Sequence, residues 1–376
     1  MSIFLGLFLI HGCGSRLVAP PAKRIATSVR SSVNPRFPMR RVTTFFFLFM
    51  GAFLIFGTGA WGALALYIDG PGNDTLRAVL ASAYAVAVLA ALGAYCTRRF
   101  RWIAATSYTS MFIVLFAWWS MIGPSNDREW QPEVAVLPYA TFDGNLITVH
   151  NIRNFAYQSE TDFTVAYDDR TYDLTKLDSV DLIAAYWMGP MIAHIFLSFG
   201  FGDDHLAISI EARKEATEGY SSIKGFFKQF ELIYIVGDER DLIRVRTNHR
   251  KDPPEEVYLY QLPGSIENGK RIFLEYMKTI NYLREHPKFY NTLTANCTNV
   301  IWMHSRVNPD HLPFSWKILL SGYLPEYIYE QGGMQTNLPF AELQRRSRIN
   351  EIAFQADQAP DFSQHIRARL PLSAAP

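Results

Sequence analysis

The stretch Asn291-Thr-Leu-Thr-Ala-Asn-Cys-Thr-Asn-Val-Ile-Trp-Met-His304 runs from a polar loop into an apolar segment, and Cys297 stands at the junction. Asn296 or Thr294 can cap a helix that begins there, because a short polar side chain accepts from the unpaired N–H groups of a first helical turn. Asn296 and Thr298 then frame the helix start. Backbone N–H groups and the positive end of the dipole favour a thiolate at Cys297 and can hold an oxyanion formed beside it.

Working outward, the chain of 376 residues has a formal net charge of +1, which gives no whole-chain sign of nucleic-acid binding. It divides sharply by composition. Residues 43–122 are mostly apolar, and from Pro124 onward the composition is that of a soluble protein. Of the three cysteines, Cys13 lies in the N-terminal tail and Cys96 at the end of an apolar run, so Cys297 is the sole thiol of the soluble part. A disulfide framework is excluded there. A lone thiol facing an oxidising compartment is either buried and inert or kept for chemistry.

Three spans are expected at Val42–Ile68, Ala78–Cys96 and Trp102–Ile122, each close to the ~20 residues a bilayer requires. The tail over residues 1–41 carries seven Lys or Arg and no acidic residue, and reads as a disordered cytoplasmic leader. Met39 is a natural alternative start. The loop Thr97-Arg-Arg-Phe-Arg101 is basic and therefore cytoplasmic, while residues 69–77 hold two acids and one arginine and are external. The third span then exits, which places Pro124 onward outside the cytoplasm. Trp118, Trp119 and Trp130 suit the outer interface, and packing explains them equally well.

Residues 124–138 read as a linker and 139–330 as a mixed α+β domain, followed by a C-terminal tail over 331–376 that frays from about Gln355. Alternation predicts strands at 146–152, 163–167 paired with 170–174, 180–187, 194–199, 206–211 and 257–262. Phe226–Val236 and Leu242–Thr247 add a short helix and strands, and Gly269–Arg284 is an amphipathic helix.

Thiol chemistry also needs an imidazole and a group to orient it. His194 opens an apolar strand just after Gly189-Pro190, whereas most other histidines sit in polar surroundings. With Gly202-Asp203 as a two-residue turn, Phe201 faces Asp204 and His194 lies opposite Glu211. Directly opposed residues have Cβ atoms about 5 Å apart, within reach of an imidazole–carboxylate bond. A one-residue slip would spoil this pairing, and His205 is the competing third member. Glu211 pairing with Arg213 or Lys214 as a surface charge is the plain alternative. Residues 238–250 form a dense charged patch, read as a solvated, salt-bridged turn rather than an anionic-headgroup site. No His/Cys/Asp cluster has metal-ligand spacing, so no metal or cofactor is expected. Ser198, Ser209 and Ser221 lack a Gly-x-Ser-x-Gly elbow, which counts against a serine hydrolase.

The order of a histidine opening a strand and an Asn-Cys pair opening a helix resembles the circularly permuted NlpC/P60 (papain-like) thiol enzymes, including the lecithin:retinol acyltransferase group. A broader resemblance rests on Asn151-Ile-Arg-Asn-Phe155, Arg170-Thr-Tyr-Asp-Leu174, Ala193-His-Ile-Phe-Leu-Ser-Phe199, Ser209-Ile-Glu-Ala-Arg-Lys-Glu215, Gly237-Asp-Glu-Arg-Asp241 and Tyr290–Thr298. These motifs, in this order, resemble the Lnb N-terminal periplasmic domain family, whose namesake is a lipoprotein N-acyltransferase. The resemblance implies a periplasmic domain on a bacterial inner-membrane anchor, with Cys297 and His194 catalytic and Glu211 the third member. Proximity to the bilayer suggests a phospholipid as acyl donor and a lipoprotein amino terminus as acceptor. A cell-wall amidase or peptidase acting on a peptide stem, and a non-catalytic envelope scaffold, are the alternatives.

Overall fold

The computed structural model describes residues 39–334 and 336–371. The expected leader up to position 38, with Cys13, lies outside the described residues. The chain divides at Gly51: residues 39–51 are the first part of a long helix, and everything from Ala52 onward is one unit.

Helices α1 (Met39–Ile68), α2 (Asp74–Cys96) and α3 (Arg101–Ser120) are each long and apolar enough to cross a membrane. The second begins four residues before the expected Ala78, because Asn73 caps it by accepting from the Leu76 N–H at 3.0 Å. Small residues let the helices approach closely. A Cβ on Gly59 would stand 2.5 Å from Val88, and one on Gly62 would stand 2.6 Å from Leu115. Tyr84, Val88, Tyr108 and Leu115 pack with Ile55 in this seam, while Phe53, Leu54, Phe56, Val86 and Ile113 are exposed, as lipid-facing positions should be.

The remainder is an α+β domain. Its strands are β1 (Tyr139–Asp143), β2 (Leu146–Arg153), β3 (Ala156–Tyr157), β4 (Phe163–Thr164), β5 (Tyr167–Asp173), β6 (Ser179–Tyr186), β7 (Ala193–Phe201), β8 (Asp204–Arg213), β9 (Glu231–Asp238) and β10 (Glu256–Gln261). Helix α4 (Glu239–Leu242) precedes β10, and α5 (Ile266–Glu285), α6 (Cys297–Ser305), α7 (Trp316–Leu319), α8 (Leu324–Glu330), α9 (Phe340–Ser347), α10 (Asn350–Gln355) and α11 (Phe362–His365) follow it. An eight-stranded sheet runs β1-β2-β9-β8-β7-β6-β10, with β5 joined to β2, and β3 and β4 pair apart from it.

Helices cover both faces of the sheet. Ile195, Leu197, Phe199, Ile208 and Ile210 meet Phe273, Tyr276 and Ile280 of α5 and Val300 and Ile301 of α6. On the opposite face Ile183, Phe196, Ala207, Ile233 and Val257 meet Leu242, Ile349, Ala353, Phe362 and Ile366. Burial on both sides explains why the central strands read as nearly continuous apolar runs.

Several expectations are corrected. Residues 163–167 and 170–174 do not pair with each other: β4 pairs β3, and β5 pairs β2. Residues 242–247 are helical, the end of α4 followed by a π-turn at Val245–His249. The stretch from Gln355 is packed, with Phe362 and Ile366 fully buried. The segment 124–138 is tied down: the Arg213 guanidinium lies 4.1 Å over the Trp130 ring and donates to the carbonyls of Val134 and Ala135. Trp130 is therefore a packing residue.

Candidate active site

Cys297 is the first residue of α6, and the loop before it is held by its own side chains. Asn291 Oδ1 accepts from the N–H groups of Leu293 and Thr294, both at 3.0 Å, and Thr294 Oγ1 turns back to the same oxygen. Thr294 is thereby used up. The cap is Asn296, whose Oδ1 accepts from the Asn299 N–H at 2.8 Å and from Thr298 Oγ1 at 3.0 Å, while its amide donates to the Thr292 carbonyl at 2.7 Å. Cys297 is buried, 8 % exposed.

The turn at Gly202-Asp203 forms as the sequence indicates, with Gly202 at φ +70° and Phe201 opposite Asp204. The β7–β8 ladder ends at Leu197 opposite Ile208, although both strands continue. Beyond that point His194 and Glu211 are not the directly opposed pair that counting from the turn predicts, and they meet indirectly. His194 Nε2 lies 2.6 Å from Ser209 Oγ, Ser209 Oγ donates to Glu211 Oε1 at 2.7 Å, and the imidazole and carboxylate are 3.5 Å apart. A hydroxyl has one proton, and Ser209 gives its own to Glu211, so it accepts from His194 Nε2–H. That fixes the ring's tautomer and leaves Nδ1 for the thiol.

Glu211 is anchored from behind by Arg246, whose Nη2 donates to Oε1 at 2.8 Å. Arg246 also faces Glu255, which Arg250 pairs at 2.6 Å. Arg246 and Arg250 come from the patch read as a solvated turn, and that reading is corrected. Glu239 and Asp241 are fully buried and Arg246 is 4 % exposed. Asp241 is paired to Arg153 at 2.7 Å and Glu239 to Arg367 at 2.6 Å.

Burial alone would raise the Cys297 pKa. The hydrogen bond and charge of His194, with the backbone N–H groups of Ile195 and Thr298, outweigh it and hold the thiol below its usual range. Burial and the Arg246 charge push His194 down, but its bonds to Cys297 and Glu211 and the thiolate charge prevail and raise it. Glu211 is partly buried, which would raise its pKa, yet His194, Arg246 and Ser209 keep it ionised, well below the ordinary carboxylate range. These directions describe a thiolate beside an imidazolium.

Cys297, His194 and Glu211 border one cleft of about 730 Å³, together with Asn296 and Thr298. Its walls combine the apolar Trp187, Met188, Ile192, Phe226 and Leu319 with the charged Glu160, Lys214, Arg246, Arg250, Asp252 and Glu255. His205 is not part of it. It sits six residues back along β8, about 20 Å away at strand rise, facing Asp181 and Glu239. Glu211 does not pair with Arg213 or Lys214 as a surface charge. Among the described residues no group of His, Cys, Asp or Glu could hold a metal ion. Ser209 and Arg246 went unassigned in the sequence. Ser209 lies two positions before Glu211, hence on the same strand face, and that spacing is the signal that could have found it.

Residues 163–322 match the Lnb N-terminal periplasmic domain family. That stretch is similar to this domain. The match spans His194, Ser209, Glu211, Arg246 and Cys297, so the whole constellation lies inside the matched stretch. No curated protein and no solved structure matches the chain. With its three apolar helices, the protein is a membrane protein bearing a periplasmic domain.

Proposed function

We propose that this protein is a thiol acyltransferase of the inner membrane that moves a fatty acyl group from a phospholipid to a lipoprotein amino terminus. The observation that carries the reading is a buried thiol at a capped helix start, touching an imidazole whose far nitrogen is held by Ser209 and Glu211. In this reading the N-terminus is cytoplasmic, which the basic leader and the basic loop at residues 97–101 support by the positive-inside tendency.

The Cys297 thiolate attacks the ester carbonyl, forming the C–S bond and a tetrahedral oxyanion at the N–H groups of the α6 start. The oxyanion collapses, the ester C–O bond breaks, and His194 passes the Nδ1 proton to the departing lysolipid oxygen. An acceptor amine then gives a proton to His194 and attacks the thioester. The C–S bond breaks, an amide forms and the thiolate returns. Glu211 and Arg246 keep the imidazole's charge and orientation through both halves. The strand-histidine, helix-cysteine order resembles that of permuted NlpC/P60 enzymes, and the apolar side of the cleft, with Trp187, Met188, Ile192, Phe226 and Leu319, suits an acyl chain.

Mass spectrometry of protein purified from membranes tests this. A fatty acyl mass on Cys297, labile to hydroxylamine, is the expected result. A muropeptide mass would replace the lipid substrate with a cell-wall one, and an unreactive thiol without any adduct would sink enzymatic readings altogether.

Two further outcomes follow from the site. The depressed thiol and raised imidazole pKa values mean that Cys297 stays alkylatable by iodoacetamide well below pH ~8.5, the midpoint of a free cysteine. In His194→Ala the midpoint should move up to that value or beyond, since burial remains and its compensation is gone. Ser209→Ala should slow transfer by roughly tenfold to a hundredfold, part of the ~10²–10⁴ that general acid–base catalysis supplies. Its alkylation rate at pH 9 should be unchanged, which separates a positioning loss from a folding defect.

A further inference from the structure

We propose that Ile223 and Leu293 form an apolar rim that dips into the outer face of the bilayer and seats the mouth of the Cys297 cleft at headgroup level. The occupant of this surface is the lipid itself. The proposal shares its cleft with the acyl-transfer reading and does not need that reading to be tested.

The rim begins where the domain meets the spans. Phe227 is buried with Ala65 and Ile68, its ring stacked on Trp61 at 6.4 Å, and Trp119 borders the same cluster. The next residue locks the contact. Lys228 Nζ donates to the carbonyls of Trp119 (2.8 Å), Ser120 (3.2 Å) and Ile122 (2.7 Å), at the C-terminal end of α3 where the helix dipole is negative. Asp69, just past α1, accepts from Trp119 Nε1 at 2.6 Å and from the Lys228 N–H at 3.2 Å. Residues 227–228 are therefore fixed at the end of the membrane-spanning segments.

The chain immediately before them coils in a tight turn at Lys224–Phe226. At ~2 Å of rise per residue, Ile223 lies about 8 Å from Phe227 along that turn, comparable to the ~5–8 Å headgroup layer on one side of a bilayer. This turn holds the nucleophile loop. Gly225 O accepts from the Thr292 N–H at 2.8 Å, and Ser222 O accepts from Thr292 Oγ1 at 2.9 Å, which brings Leu293 alongside. Ile223 is 62 % exposed and Leu293 50 %, large apolar side chains that soluble domains seldom leave clustered. Beside them Tyr220 and Phe226, also exposed, line the cleft itself. The exposed apolar patch thus continues an interface already made with the spans, and it opens on the thiol.

Spin labelling tests the seat directly. The full chain with Cys13→Ser, Cys96→Ser and Cys297→Ser is reconstituted in phosphatidylethanolamine–phosphatidylglycerol bilayers, and a nitroxide is placed at Ile223→Cys. The reference label sits at Asp203→Cys, on the exposed turn at the far end of β7–β8. Collision with oxygen relative to a water-soluble nickel chelate should be several-fold higher at 223 than at 203. Equal ratios overturn the rim. In a second arm Ile223→Glu, in the otherwise native chain, should cut Cys297 acylation from bilayer phospholipid by about tenfold while iodoacetamide still modifies Cys297 at the native rate. Unchanged acylation, or a parallel loss of alkylation, overturns the role of the rim in seating the cleft. If the native chain forms no acyl adduct, the acyl-transfer proposal fails and the nitroxide ratio still decides the rim.

Discussion

Cys297→Ser should abolish acyl-adduct formation and transfer, by at least ~10³-fold, while the protein remains folded and in the membrane. The size of the loss follows from the chemistry. A serine hydroxyl in this pocket does not ionise near neutral pH, and the stabilisation that His194 and the Ile195 and Thr298 N–H groups give a thiolate has no anion to act on. The fold should survive because α6 is started by Asn296 and not by the thiol. The check pairs hydroxylamine-labile acyl mass with a thermal melt in detergent. A melt within a few degrees of the native value with transfer lost is the expected combination, since the hydroxyl keeps the His194 and backbone N–H partners of the thiol and ~1 kcal/mol moves a domain of this size by only about 2–4 °C. A protein that keeps transferring acyl groups without the thiol would dispose of the mechanism.

The largest effect on stability is expected from Arg367→Ala. Its guanidinium donates to Asp181 Oδ2 at 2.7 Å and Glu239 Oε1 at 2.6 Å, and both carboxylates are almost wholly buried. Removing one partner of a buried pair strands the other's charge, which costs about 3–5 kcal/mol. Burial opposes the charge on Glu239, yet Arg367 brings its pKa from 4.5 to about 2. A depressed carboxylate contributes stability above its unfolded pKa and loses it as pH falls through the folded one, so Glu239 supports the native protein down to about pH 2. Asp181, which burial raises despite the same cation, contributes in the opposite sense. In the variant both acids should take up protons, and the destabilisation seen in urea at pH 7 should shrink at pH 4. A constant deficit at both values would mean that lost packing, not stranded charge, is responsible.

The sequence made legible what depends on neighbours. Span lengths, the Gly202-Asp203 turn and the Asn-Cys helix start are local, and from the turn the β7–β8 register from Phe201 opposite Asp204 to Leu197 opposite Ile208 follows by counting. Charge burial is different, because the partners that permit it are distant. Arg153 reaches Asp241 across 88 positions and Arg367 reaches Glu239 across 128, so nothing near residues 238–250 distinguishes a buried network from a wet turn. The C-terminal stretch misled through its Ala and Pro content, although Phe362 and Ile366, four apart, carry the spacing of one helical face. Ser209 was passed over because serine was weighed there only as a nucleophile. Its place between a base and a carboxylate needs the two strands to part, and the ladder's early end is a three-dimensional fact.

The Arg367 contact also bears on how the chain reaches its native state. Asp181 on β6 waits for a partner 186 residues further on, and the sheet face that α10 and α11 cover cannot close before then. Loop closure over such a distance is entropically costly, and topologies rich in remote contacts fold slowly. A nascent or truncated chain therefore holds two acids in an apolar face without their cation, beside a sheet with one side open. Such an intermediate would be prone to aggregation and would engage chaperones until the last helices dock.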